Sequence, residues 1–527
     1  MKHRRGLPIP SRVRYPLPVL LTLVACHGGT GHPADDTGWR PVDESMETAP
    51  GNEGFGCDPE ADDANVLEGE AVTLSFACEG EATADRWTLV DGPPGGELDP
   101  ATGAFTWTTD LASAGEWQVT VKAEGSGFEY GSGRIFVTDA LGADGNQPVD
   151  PATYTMEFGL PVFHLAVPEG TNAAKMWATT AYYGGRLLDV EIQRRGATSS
   201  HYPKTSFRVD FPPQQEFEDE AEGFPKRRSI CLTTTFDDNA YIRQALVYDL
   251  WNALDPVRHQ LESMFVVLYL DGAYTGLYML TDRINGEWWE DYGFDEEGSL
   301  YKSVDHQANF YADFDGVEKE PIHAGWEKKH PDDEDYTDLD ELLRFIIEAN
   351  DEDFDAEIDQ RLVVDEIFDW WNIAIYTSAY DTVGKNAYLF RDPGDTRFHN
   401  AVWDFNFSLG QTWETERQTA QDDWDFTDDN NLFNRLRNSA TYGPAMQQRF
   451  RDQRQDVLTP EAIDARIDAF VARIDLSAQR DWSVWREAYM SYENWSDRDD
   501  FTEYPEEVEY VRAWVEERHA YVEAWDP

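Results

Sequence analysis

The chain has 527 residues, room for two or three domains, and its 13% aromatic content with 19 Trp is enough for sizeable cores. Against 43 Lys and Arg stand 102 Asp and Glu, a formal net charge of −59. A surface so acidic repels nucleic acid and anionic lipid, which excludes DNA and RNA binding.

Segment 1–26 reads as an export signal. Lys2, Arg4, Arg5, Arg12 and Arg14 come without an acid, an apolar run begins at Tyr15, and Leu23-Val24-Ala25 leads to Cys26. The run is too short to span a membrane. Leu-Val-Ala-Cys resembles the bacterial lipoprotein signal, which implies lipidation at Cys26; the alternative is an ordinary signal with a chance cysteine. The expectation is a cell-envelope protein facing outward, touching the membrane through a lipid anchor only, or a secreted one. Residues 27–56, rich in Gly, Pro, Asp, Glu and Thr, read as a disordered tether.

Residues 57–140 carry short alternating runs at Ala71–Phe76, Arg86–Val90, Ala104–Trp107, Glu116–Val121 and Gly133–Val137, with turn clusters between them. That spacing predicts a small antiparallel sandwich. The run Leu98–Trp107 with Gly115–Val121 resembles the Ig or cadherin-like repeats of bacterial surface proteins, a spacer or adhesion module without a catalytic constellation. Cys57 and Cys78 bracket its start and read equally as a disulfide or as two buried thiols. No C-x-x-C occurs and the histidines are scattered, so no zinc site is expected. A polar linker is expected over 141–158, and the large domain over 159–527.

That domain opens with a strand at Val190–Gln193, a small-residue loop from Arg194 to Ser200, and Lys204 leading into a strand at Thr205–Phe211. A strand, a loop and a strand bearing an early lysine suit phosphate binding, and also simply join two strands. Ser229–Thr233 reads as a strand, and Asp237-Asp238-Asn239 as the cap of a helix from Ala240 to about Leu254. Phe265–Leu270 and Gly276–Leu280 flank Asp271-Gly272 as a hairpin. After a strand at Leu300–Lys302 the sequence turns mostly helical, the order of a kinase's small and large lobes.

The stretch Asp381–Gly410 organises the rest. Asp381 is followed by Asn386, an apolar run to Phe390, the turn Asp392-Pro393-Gly394-Asp395, and a second run, Ala401–Trp403, that delivers Asp404. Phosphoryl transfer needs this layout: an acid for the acceptor hydroxyl, an Asn at D-x-x-x-x-N spacing for a metal, and a hairpin presenting a second acid. The plainer alternative is a shaped turn and a capped strand. Further on, the acidic stretch Asp422–Asn431 reads as an exposed loop ending in a helix cap, and Leu432 onward as helices with buried Trp and Tyr.

Arg195-Gly196-x-x-Ser199, Pro203-Lys204-x-Ser206-Phe207-Arg208, Tyr241-Ile242-Arg243, Leu268–Tyr278, Leu300–Lys302, Asp381–Asn386 and Trp403-Asp404, in that order, resemble the CotH kinase family of spore coat proteins. The resemblance implies an α+β fold, a two-lobed protein-kinase-like domain here preceded by the small all-β Ig-like sandwich. It implies binding of ATP with Mg²⁺ or Mn²⁺ and phosphorylation of Ser or Thr on a surface or coat protein by a monomer. Asp381 would be the catalytic acid; Asn386, Asp404 and Asn406 would face the metal. Arg195 and Ser199 would form the phosphate loop. Lys204 is the first choice for the catalytic, phosphate-contacting lysine and Lys302 the second. Two departures stand out: Asn406 replaces a second acid common in the family, and Tyr380 precedes Asp381, so no H-R-D triplet exists. The alternative is a pseudokinase acting in adhesion or coat assembly.

Overall fold

The structure, a computed structural model, describes residues 56–527 except 80–81, 110–112, 114, 139–148, 197 and 496–497. The signal segment with Cys26 and the tether up to residue 55 lie outside the described residues, as does most of the linker.

The first β-rich segment holds two facing sheets. Ala64–Leu67, Phe128–Thr138, Gly115–Glu124 and Arg86–Asp91 form one, and Ala71–Ser75, Ala104–Thr108 and Glu97–Leu98 the other. Every second residue points inward, so Leu74, Trp87, Phe105, Trp107, Val119, Val121 and Ile135 make one core. Asp58–Glu60 pairs with Ala77–Glu79, and a disulfide joins Cys57, the residue before the first of these strands, to Cys78 in the second.

Residues 149–158, expected as linker, are part of the large domain. Val149 donates its N–H to Gly272 O, and the buried Glu157 carboxylate takes Arg480 at 2.9 Å. Seven strands then close into a barrel: β1 (Leu160–Leu165), β2 (Trp177–Tyr183), β3 (Arg186–Arg195), β4 (Ser206–Asp210), β5 (Ser229–Thr234), β6 (Ser263–Leu270) and β7 (Ala273–Asp282). Neighbours run β1-β2-β3-β4-β5-β7-β6, all antiparallel, and the parallel pairing Val162↔Val267 through Leu165↔Leu270 closes β6 onto β1. Phe163, Ile192, Phe207, Val209, Ile230, Leu232, Val266 and Leu280 fill the interior. The alternate residues Val162, Cys231, Val267, Tyr269 and Leu277 face outward into a second, larger core. Strands buried on both faces read as continuous apolar runs, which is why SMFVVLYL in β6 shows so little alternation.

The larger core is built by a four-stranded sheet and helices. β8 (Ser299–Ser303), β9 (Trp326–His330), β10 (Ala387–Arg391) and β11 (His399–Val402) run in the order β9-β8-β10-β11. Helix α1 (Arg243–Leu254) packs on α2 (Val364–Thr377), which carries the fully buried Trp370 and Trp371. The long α3 (Pro460–Met490) starts at a Thr459 cap with Pro460 in its first turn, and lays Ile463, Ile467, Ile474 and Ala478 against the core. α4 (Tyr504–Trp525) opens with a Glu503–Glu506 capping box and adds Val511, Trp514 and Val515. Mixed helix and strand, the fold is α+β as the sequence predicts.

Candidate functional site

α2 is the support on which Asp381 stands. The helix ends at Ser378 in a left-handed conformation, and a short 3₁₀ turn, Tyr380–Thr382, comes at once. Trp370 donates from its indole to Thr382 Oγ1 at 3.0 Å, tying that turn to the buried helix. The hairpin then forms as the sequence indicates, with Ala387 opposite Val402 and Phe390 opposite His399. Trp403 N–H donates to Asn386 O at 2.9 Å, which sets Asn386 and Asp404 side by side at the open end. Both residues take positive φ, 58° and 62°, a conformation that costs non-glycine residues of order 1 kcal/mol and that Asn and Asp tolerate best.

These residues line one wall of a cleft of about 450 Å³. Arg195, Gly196 and Ser199 from the end of β3 and its loop line another, with Lys302 of β8 between them. Gly196 has φ +113°, and a Cβ there would meet Ser199 Oγ at 2.1 Å, so only glycine lets the loop fold this tightly. The structure thus brings together Asp381, Asn386, Asp404, Asn406, Arg195, Ser199 and Lys302, all within the cleft lining.

Lys204 is not among them. Its ammonium is fully buried behind the cleft and donates to Asp481 Oδ2 at 2.5 Å, Leu277 O at 2.7 Å and Thr235 Oγ1 at 2.9 Å. An ammonium has three donors, and all three are engaged. A Cβ at Gly276 would meet Asp481 Oδ2 at 2.2 Å and Lys204 Cε at 2.8 Å, so glycine there makes room for this pair. The expected order of the two lysines is therefore corrected. Lys204 locks the barrel to α3, and Lys302 is the lysine that reaches the cleft.

Electrostatically the cleft reverses the sign of the protein. Arg195, Arg208, Arg283, Lys302, Lys329 and Lys385 line it against Asp237, Asp381 and Asp404, on a chain of net charge −59. Among the described residues no carboxylate lies within ion-pair distance of Lys302 or Arg195. The Lys302 amine sits 5.7 Å from the Tyr388 ring and 5.9 Å from that of Trp403. Burial, helped by the charge of Arg195, pushes it down to about 8. Arg195 donates to Thr233 Oγ1 at 3.1 Å and also lies over the Trp403 ring. Two such cations held close together call for an anion.

The acids divide by environment. Burial works against the charge of Asp381, but His306 at 3.5 Å and Lys385 at 3.0 Å outweigh it and hold the carboxyl below its usual range. Its other oxygen accepts from Asn386 Nδ2 at 2.9 Å. Asp404 is raised, by burial first, while Arg195 and Lys302 counteract and Asp381 adds repulsion. Its N–H donates to the Tyr248 hydroxyl, and among the described residues nothing donates to its carboxylate. Asp237 is pushed up to about 7 by burial, Asp404 and Asp238.

An oxygen-ligated cation fits this wall. Among the described residues, Asp404 offers a carboxylate without a donor, Asn386 and Asn406 offer amide oxygens, and Asn406 Oδ1 is buried without a hydrogen-bond partner. Among the described residues no three His, Cys, Asp or Glu side chains converge as a complete metal cage. Mg²⁺ commonly needs none, since one or two carboxylates hold it while phosphates and water finish the octahedron.

Sequence reasoning missed Asp237, His306, Lys329 and Lys385. Lys385 alone had a local signal, four residues after Asp381. Asp237-Asp238-Asn239 reads in the sequence as a helix cap, but α1 begins at Arg243, and it is Asp238 that accepts from the Arg243 N–H at 2.8 Å. The acidic loop does end in the expected cap, Asn430 accepting from Leu432 and Phe433 N–H.

The chain is similar to several known proteins. The inner spore coat protein H of Bacillus subtilis (strain 168) is 24% identical over 291 residues, 55% of this chain and 77% of its own length. Among solved structures, a chimeric titin Z1Z2 matches 15% of this chain and 97% of its own at 20% identity and a TM-score of 0.12. The first Ig domain of mouse SynCAM 2 matches 16% and 96% at 13% identity and a TM-score of 0.11. The profile of the CotH kinase protein family matches residues 192–522, which spans the barrel from β3 onward, the cleft and the C-terminal helices. The chain belongs to the CotH kinase protein family.

Proposed function

We propose that the cleft binds ATP with Mg²⁺ or Mn²⁺ and transfers the γ-phosphoryl group to a Ser or Thr hydroxyl of a surface or coat protein. The observation that carries this reading is the pair Lys302 and Arg195, two cations without a carboxylate partner among the described residues, facing Asp404 across one cleft. Lys302 and Arg195 grip phosphate oxygens, with Ser199 in the loop beside them. Asn386, Asp404 and Asn406 hold the cation, which when bound neutralises phosphate charge and aligns the phosphoryl group. Asp381 accepts a hydrogen bond from the acceptor hydroxyl and aims its oxygen at phosphorus. As the new P–O bond forms, the bond to the ADP oxygen breaks and the hydroxyl proton leaves through Asp381 to solvent. A carboxyl held below its usual range is a weak proton store, so its contribution is chiefly orientation, as a loose transition state requires.

The barrel and the helical half act as the two lobes of a kinase-like fold, and segment 57–140 as an Ig-like spacer or adhesion module. Lipidation at Cys26 would place the protein outside the cell, and kinship with a spore coat protein supports a coat-associated or outer location. Among the described residues no helix is long and apolar enough to cross a membrane. A second reading, a binding protein that holds nucleotide without transfer, is favoured by Asn406 standing where two-carboxylate metal binding would place an acid. Incubation with radiolabelled ATP, Mg²⁺ or Mn²⁺ and Ser-containing proteins separates them. Transfer supports the kinase, binding without transfer supports the second reading, and no metal-dependent binding removes both.

A further inference from the structure

Asp237 and Asp238 are neighbours with opposite duties. Asp238 is committed to the fold, accepting from Ala240 N–H, from Arg243 N–H and from the Arg243 guanidinium. Asp237 turns the other way and lines the cleft, though the residue is only 4% exposed. Its Oδ2 accepts from Asn406 Nδ2 at 2.6 Å, and the Tyr202 hydroxyl also lies against it. Both are neutral donors. Among the described residues no Lys, Arg or His comes within ion-pair distance of this carboxylate, a costly state for a buried anion.

The contact also fixes Asn406. With its NH₂ turned to Asp237, its Oδ1 is left buried and without a partner among the described residues. Gln411 holds the arrangement from behind, donating to Asp237 O at 2.7 Å and reaching Asn406 O at 3.5 Å. An uncompensated carboxylate and an orphaned amide oxygen thus stand together on the wall that already holds Asp404.

We propose that Asp237 supplies the charge that Asn406 lacks, the two acting as one unit that holds the divalent cation accompanying the nucleotide. The inference rests on the metal–nucleotide reading above. Asp237 orients the Asn406 amide so that Oδ1 is presented as a ligand, and its negative charge strengthens that neutral oxygen's hold.

The test is an exchange of the two side chains, read as binding rather than activity. Free Mn²⁺ would be followed by electron paramagnetic resonance in the presence of a non-hydrolysable ATP analogue, with circular dichroism to establish folding. D237N should lower Mn²⁺ affinity by about tenfold or more, the usual effect of removing a group that orients a ligand. The exchanged protein D237N/N406D keeps the charge and the amide in swapped positions and should return to within about threefold of wild type. N406D alone places two carboxylates in contact, so its melting temperature should rise more on Mn²⁺ addition than that of wild type. Wild-type affinity in D237N, an exchanged protein no better than D237N, or an unchanged Mn²⁺ response in N406D would each overturn the proposal while leaving the kinase reading intact. A wild-type protein that binds no Mn²⁺ with nucleotide would overturn both.

Discussion

Lys302 offers a sharp test of how the cleft is built, because the structure makes it costly. The unfolded chain keeps its proton to about 10.5, whereas burial and Arg195 bring the folded value to about 8. Holding the ammonium charged at pH 7 therefore costs the folded state roughly 3 kcal/mol, at about 1.4 kcal/mol per tenfold. Methionine has a similar reach and no charge, so Lys302→Met should stabilise the protein, by about 1–3 kcal/mol once local relaxation is allowed for. The sign with pH is fixed. The penalty is full below pH 8 and fades toward 10.5, so the advantage of the variant should shrink over that interval. The same change removes a charge-assisted contact to phosphate, which should weaken nucleotide binding by roughly 10–100-fold. Urea unfolding at pH 7 and pH 10 with calorimetric titration of an ATP analogue reads both. A variant less stable than wild type at pH 7, or one that binds nucleotide unchanged, would refute the reasoning.

Three other expectations rest on particular contacts. Lys204→Met leaves Asp481 buried and unpaired and should cost about 3–5 kcal/mol, while Lys204→Met/Asp481→Leu recovers much of it and binds nucleotide nearly as wild type; denaturant midpoints and calorimetry check both. Reduction of Cys57–Cys78, or Cys57→Ser, frees a loop with a sequence separation of 21 and should lower the stability of the first β-rich segment by about 3 kcal/mol, visible as earlier proteolysis there. A fragment starting at Val149 should fold, whereas one starting at Leu160 loses Glu157 and leaves Arg480 without that carboxylate, and should melt several degrees lower.

The hairpin from Ala387 to Val402 was legible because its signals are local: two short apolar runs, a D-P-G-D turn, and an acid after the second strand. The β-runs of the first segment were legible for the same reason. The barrel was not, since its closure depends on Val162 pairing with Val267 across roughly a hundred residues and no local pattern encodes that partner. Lys204 was misplaced for a related reason. Its countercharge, Asp481, lies 277 residues away, and without it a lysine at a strand entrance looks like a phosphate ligand. Asp237 was hidden by its neighbour, because D-D-N before a helix reads as a cap, and its partner Asn406 is 169 residues on. Residue types marked the acids, but only three-dimensional pairing separated those that hold the fold from those left for a ligand.

The measurement that bears most directly on the central claim compares Asp381→Ala with Asp404→Ala, using radiolabelled ATP for transfer and calorimetry for Mg²⁺-dependent nucleotide binding. Asp404 holds the cation, so its loss should weaken binding and transfer together. Asp381 addresses the acceptor hydroxyl, so its loss should reduce transfer by about 10²–10⁴-fold while nucleotide affinity stays near wild type. Equal loss of nucleotide binding in both variants, or transfer that survives in Asp381→Ala, would contradict the assignment of these two carboxylates to separate roles.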